Sequence, residues 1–213
     1  MTTNLSRLLP AALVAGLAVC SAGCLEKETR STAYVEDDGT VTWVVVESEV
    51  RSDESNAEDA RREESEHLSA CRSGTAPVPE ALAAIGGRDV RADVLRDRVP
   101  FETLSSARFS SLEHLARSFC DAAGWTCETA TVTTASHTTW SWTVPVSPGR
   151  DDKSASPVDP LSDALSTLRV VVAGGRLIAA RGFNLEGDRA AALIPPEDEK
   201  GETFTFSLTW ERR

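Results

Sequence analysis

"ETFTFSLTW", residues 202–210, alternates strictly: Phe204, Phe206, Leu208 and Trp210 fall on one side of an extended chain, Thr203, Thr205, Ser207 and Thr209 on the other. Successive strand side chains point to opposite faces, so this segment reads as a strand with one buried and one wet face. Antiparallel sheets produce that alternation, whereas strands covered on both sides read as continuous apolar runs. The predicted fold class is α+β, an antiparallel β-sheet built from hairpins with two or three helices packed on one face.

The segments upstream repeat the hairpin theme. "LRVVVA", Gly174-Gly175 and "RLIAARGF" read as two apolar strands joined by a Gly-Gly turn. Residues 125–146 are rich in Thr and Trp and predict another hairpin turning near Ala135 and Ser136, with Trp140, Trp142 and Val144 on one side. Trp140 and Trp142 then have two readings: core, or an apolar ligand surface if exposed. Between these hairpins, "SPGRDDKSASPVDP", 147–160, carries Pro, Ser and charge without apolar periodicity and reads as a mobile loop.

The first half follows the same logic. "STAYVEDDGTVTWVVVESEV", 31–50, reads as two strands around Asp37, Asp38 and Gly39. Val41, Trp43 and Val45 share one face and Val44 and Val46 the other, which predicts a central strand. Ser55 and Glu58, in capping-box spacing, open a helix with a thin apolar stripe ending at Cys71. A short helix follows in "PVPEALAAIGG", with Pro79 in its first turn and Gly86 as its stop. Strands are predicted over 89–97 and 101–109. Ser110 and Glu113 then cap a helix whose Leu112, Leu115, Ala116, Phe119 and Ala123 recur on one core-facing side, stopped by Gly124.

At the N-terminus, "MTTNLSR" has one base and no acid, and the apolar run from Leu8 to Val19 precedes the small residues Ser21, Ala22 and Gly23. This is a signal-peptide layout. The run is about a dozen residues where a spanning helix needs about 20. "SAGC", 21–24, resembles the lipobox of bacterial lipoproteins, which implies a signal peptide over 1–23 and lipidation of Cys24. Cys20, in "LAVC", is the rival attachment site. The organisation expected is a short tether over 24–30 and one α+β domain over 31–213. The opening "DGTV" hairpin and the closing "VVVAGGRLIAARGF" before a strand ending in Trp resemble the LppM-type lipoprotein domains. That resemblance implies a binding module, with lipid headgroups one suggestion.

Removing residues 1–23 leaves 21 Lys and Arg against 33 Asp and Glu. So acidic a surface repels polyanions, which excludes nucleic acid as a partner class. An apolar content of 41% is that of a globular chain.

The chemistry-bearing residues are few. Cys71, Cys120 and Cys127 remain after the leader, and export lets disulfides persist. Cys120–Cys127, closed by the turn at Gly124, is one pairing, Cys71–Cys120 another, and three buried thiols the third alternative. His67, His114 and His137 lack metal-ligand spacing, since His114 and Cys120 sit about 240° apart around one helix. No nucleophile elbow, zincin or phosphate-cradling motif occurs. Neither catalytic residue, metal nor cofactor is expected. The function read from the sequence is a cell-envelope lipoprotein, held by acyl chains, that acts as a non-catalytic binding, scaffolding or assembly module. Its partner would be an envelope protein or a small apolar ligand. In an organism with two membranes, Leu25 after the lipid cysteine favours the periplasmic face of the outer membrane. The alternative is an envelope hydrolase with an unrecognised site.

Overall fold

The computed structural model describes residues 25–145, 157–194 and 203–212. The leader, Cys20, Cys24 and most of the 147–160 loop lie outside the described residues. In chain order the elements are β1 (Leu25–Val35), β2 (Val41–Ser52), α1 (Ala57–Ser73), α2 (Pro77–Ala84), β3 (Arg88–Arg96), β4 (Phe101–Phe109), α3 (Leu112–Ala123), β5 (Glu128–Thr133) and β6 (His137–Pro145). A 3-10 turn (Asp159–Leu161) then leads into α4 (Ser162–Ser166), β7 (Leu168–Val172), β8 (Gly175–Arg181), β9 (Phe183–Glu186), β10 (Ala190–Leu193) and β11 (Thr203–Arg212).

The fold is α+β, with two sheets rather than one. The larger has the order β3-β4-β2-β1-β7-β10-β9 and the smaller β5-β6-β11-β8. β2 is central in the large sheet, as its two apolar faces predict. Among the described residues every pairing is antiparallel except β1 with β7, which run parallel from Ser31–Leu168 to Val35–Val172. A two-residue turn forces antiparallel neighbours, but β7 reaches β1 only after the chain has built five strands in between, so turn chemistry no longer dictates its direction.

The Gly174-Gly175 segment is the main departure from the hairpin reading. β7 belongs to the large sheet and β8 to the small one, so the two glycines make a corner between sheets. Glycine is needed there for close approach. A Cβ on Gly174 would lie 1.5 Å from Asp37 Oδ1, and one on Gly175 2.5 Å from the Glu211 carbonyl oxygen. A second correction falls at the start: Leu25 already pairs with Ser52, so residues expected as a tether are strand.

The helix boundaries follow local chemistry, one residue later than the capping boxes suggest. Asn56, not Ser55, caps α1, its side chain accepting from the Glu58 N–H at 2.9 Å. Ser111, not Ser110, caps α3 and accepts from the His114 N–H at 3.0 Å. Side-chain oxygens at these positions satisfy N–H groups that the helix leaves free. α3 ends at Gly124, whose φ of 68° puts it in the left-handed region.

The helices pack on the inner face of the large sheet, towards the small one. α3 touches β4 on one side and β5 and β6 on the other. The core formed there takes Ala33, Trp43 and Val45 from the large sheet, Trp140, Trp142, Phe206 and Leu208 from the small sheet, and Leu115 and Phe119 from α3. Fully burying a side chain of this size contributes about 1.5–3 kcal/mol.

Candidate functional site

Where the two inner faces meet α3 and α4 there is a small cavity of about 20 Å³, lined by Trp43, Leu112, Leu115, Phe119, Trp140, Trp142 and neighbouring apolar side chains, with no polar surface. Strand periodicity aims the tryptophans inward. Trp43 lies on the buried parity of β2, and Trp140 and Trp142 on that of β6, with ring centroids 6.2 Å apart. A water-sized space walled only by carbon offers water no partner and stays dry.

The three indole N–H groups differ. Trp140 donates to Thr129 Oγ1 at 3.2 Å and Trp142 to Cys120 Sγ at 3.3 Å. Trp43, 1% exposed, has no acceptor for its N–H among the described residues. A buried donor left unpaired costs about 1–3 kcal/mol. Any acceptor brought to it relieves that cost.

Leu112 also lines a second, open space, a cleft of about 400 Å³ between the β1–β2 turn and the small sheet. Its walls are the turn carboxylates Asp37 and Asp38, the hydroxyls of Ser111, Thr131, Thr133 and Thr138, and Trp210. Asp38 accepts from the Thr40 hydroxyl at 2.6 Å and from its backbone N–H at 2.8 Å. These bonds, the hydroxyl first, hold its carboxyl below the usual range. The cleft is therefore anionic and repels phosphate and carboxylate. Leu112 stands between this mouth and the dry cavity.

A second interior is chemically different. Under α1, Glu47 is 3% exposed and accepts from Lys27 Nζ at 2.5 Å and from Thr103 Oγ1 at 3.4 Å. Cys71 Sγ lies 3.5 Å from His67 Nε2 one helical turn back. Thiol and imidazole at that distance have the layout of a nucleophile and its base, but their electrostatics are wrong for it. Burial, reinforced by the Glu47 charge, pushes the Cys71 thiol up to about 11, and burial pushes the His67 imidazole down. Both groups are held neutral, whereas an activated pair needs a thiolate. Among the described residues no group of His, Cys, Asp and Glu has the geometry to hold a metal ion.

The sequence-level candidates thus separate. Trp140 and Trp142 are 2% and 3% exposed, so they form no open ligand surface; they are core, and matter here as cavity walls. Cys120 and Cys127 form a disulfide with a Cα separation of 6.3 Å, closing the turn at Gly124 beside the cavity, while Cys71 is free and buried. Glu47 and Lys27 were missed. Glu47 shares the parity of the buried Val41, Trp43 and Val45 in β2, and that placement carried the signal.

No protein-family model matches the chain, and no curated protein matches it. Among solved structures it is similar to the folded domain of LppM from Mycobacterium tuberculosis, determined by NMR. The identity is 13%, the TM-score 0.39, and the match covers 87% of this chain and 90% of that one.

Proposed function

We propose that the protein is a lipid-anchored envelope module, attached through Cys24, that binds a small apolar ligand bearing one hydrogen-bond acceptor and performs no covalent chemistry. The observation that carries the binding reading is the dry, wholly apolar cavity lined in part by Trp43, a residue whose buried N–H has no acceptor among the described residues. A ligand entering past Leu112 would displace no hydrogen bond made among the described residues, and as the walls move its acceptor would reach the Trp43 N–H. The cavity fits a methyl group rather than a whole ligand, so side chains of α3 and α4, Leu165 among them, move outward as it fills.

The probe is methyl hexanoate, followed by intrinsic tryptophan fluorescence. A saturable change in the wild type, weakened about tenfold by Trp43→Phe, is the expected result, because that substitution removes one hydrogen bond while keeping the ring. A wild type that shows no saturable response removes the binding reading. The attachment is tested separately by fatty-acid labelling. Label is expected on the wild type and lost in Cys24→Ala, whereas loss only in Cys20→Ala would move the anchor.

A further inference from the structure

One end of the large sheet gathers the start of β1, the end of β2, the end of β3 and the start of β4. Leu25 pairs with Ser52, Val50 with Phe101, and Arg96 with Glu102. The turn from β3 to β4 therefore projects from the same end at which the chain continues into residue 24. The end of β3 and that turn carry two of the most exposed large apolar side chains among the described residues, Leu95 at 54% and Val99 at 50%.

The charges at this end are largely paired with one another. Arg96 reaches Glu49 at 3.0 Å, Arg51 reaches Glu26 at 2.7 Å, and Arg72 lies 3.5 Å from Asp97. The opposite end of β1 carries Glu36, Asp37 and Asp38 around the cleft. The first end exposes apolar side chains among paired charges, whereas at the other four acids, Glu36, Asp37, Asp38 and Asp89, outnumber Arg91 and Arg108.

No slack separates the anchor position from the body. Cys24 is bonded to a residue already in the β2 ladder, about 3.8 Å between Cα atoms, and Lys27 is tied into the interior by Glu47. We propose that the bilayer surface is the partner of the β3–β4 turn, with Leu95 and Val99 resting in the headgroup boundary beside the acyl chains. The acidic cleft then faces away, about 35 Å up β1. The orientation rests on the anchoring proposed above and adds to it a defined contact face. Exposed apolar side chains at such a boundary gain burial in proportion to the area they sink. The paired charges let this end approach the surface with little repulsion.

The test uses the full chain, acylated and reconstituted into phosphatidylcholine vesicles containing a spin-labelled lipid, with a fluorophore placed through Val99→Cys or Val132→Cys. Val132, 61% exposed, is a matched apolar position on β5, the strand whose Thr131 and Thr133 line the distal cleft. Cys71 is buried and Cys120 is bridged to Cys127, so neither competes for the label. Flotation with the vesicles plus quenching at position 99 about twofold or more above that at 132 is the expected result. Flotation with equal quenching, or with more at 132, overturns the orientation and leaves the anchor standing. A chain that does not float loses the anchor and the orientation together.

Discussion

The interior under α1 and the interior between the sheets are closed by different chemistry. Under α1 the polar side chains are paired: Glu47 has Lys27 and Thr103, and the neutral His67 has the neutral Cys71. Between the sheets the walls are aromatic and aliphatic, a small void remains, and the indole N–H groups of Trp43 and Trp125 have no acceptor among the described residues. A guest in the first region must break a bond already made, whereas a guest in the second completes one. Depth of burial therefore says little about where a ligand goes; the balance of donors and acceptors says more.

The largest expected effect tests the apolar side. Trp142→Ala is expected to cost about 4 kcal/mol in denaturant unfolding, through lost burial and the cavity it opens. A loss under about 1 kcal/mol would show that the ring is not part of the core. On the ionic side, Lys27→Met strands the Glu47 carboxylate and is expected to cost about 3 kcal/mol, while Lys27→Met with Glu47→Leu recovers most of it. If the double variant is as unstable as the single one, the cluster is held by something other than that pair.

Much of this was legible in the sequence, and the failures share a cause. The alternation of β11, the inward face of β6 and the stripe of α3 are periodic signals set by local geometry, and they appear where expected. The corner at Gly174-Gly175 and the parallel β1–β7 pair depend on contacts between segments more than 100 residues apart along the chain, such as Gly174 against Asp37, which no local pattern encodes. The cavity was half legible. All five tryptophans were candidates for a ligand surface and Trp140 and Trp142 were singled out, but nothing local in the sequence sets Trp43, 97 residues before Trp140, against them. Cap positions were one residue off because neighbouring polar residues compete for the same role. Asn56→Ala is accordingly expected to cost about 1 kcal/mol by thermal unfolding, with Ser55→Ala close to neutral.

The smallest effect concerns acidity. Burial disfavours the charged form of His67, with Lys27 adding to this and the Glu47 and Glu63 carboxylates opposing it, and the net result is a lowered pKa. The unfolded chain then binds a proton more readily than the folded one, so this contribution to stability is complete above about pH 6.5 and is lost as the pH falls below that value. His67→Gln should flatten the dependence measured across that interval; an unchanged slope would assign it to other groups.

The position of β1 has a mechanical meaning. It is paired with β2 from Leu25 to Val35 and, over Ser31–Val35, with β7 on its other side. Ladder hydrogen bonds run across the strand axis, so tension applied at Leu25 along that axis loads many of them in shear at once instead of opening them singly. A pull applied at Leu25 would be shared across the middle of a seven-stranded sheet instead of unravelling the domain from that strand.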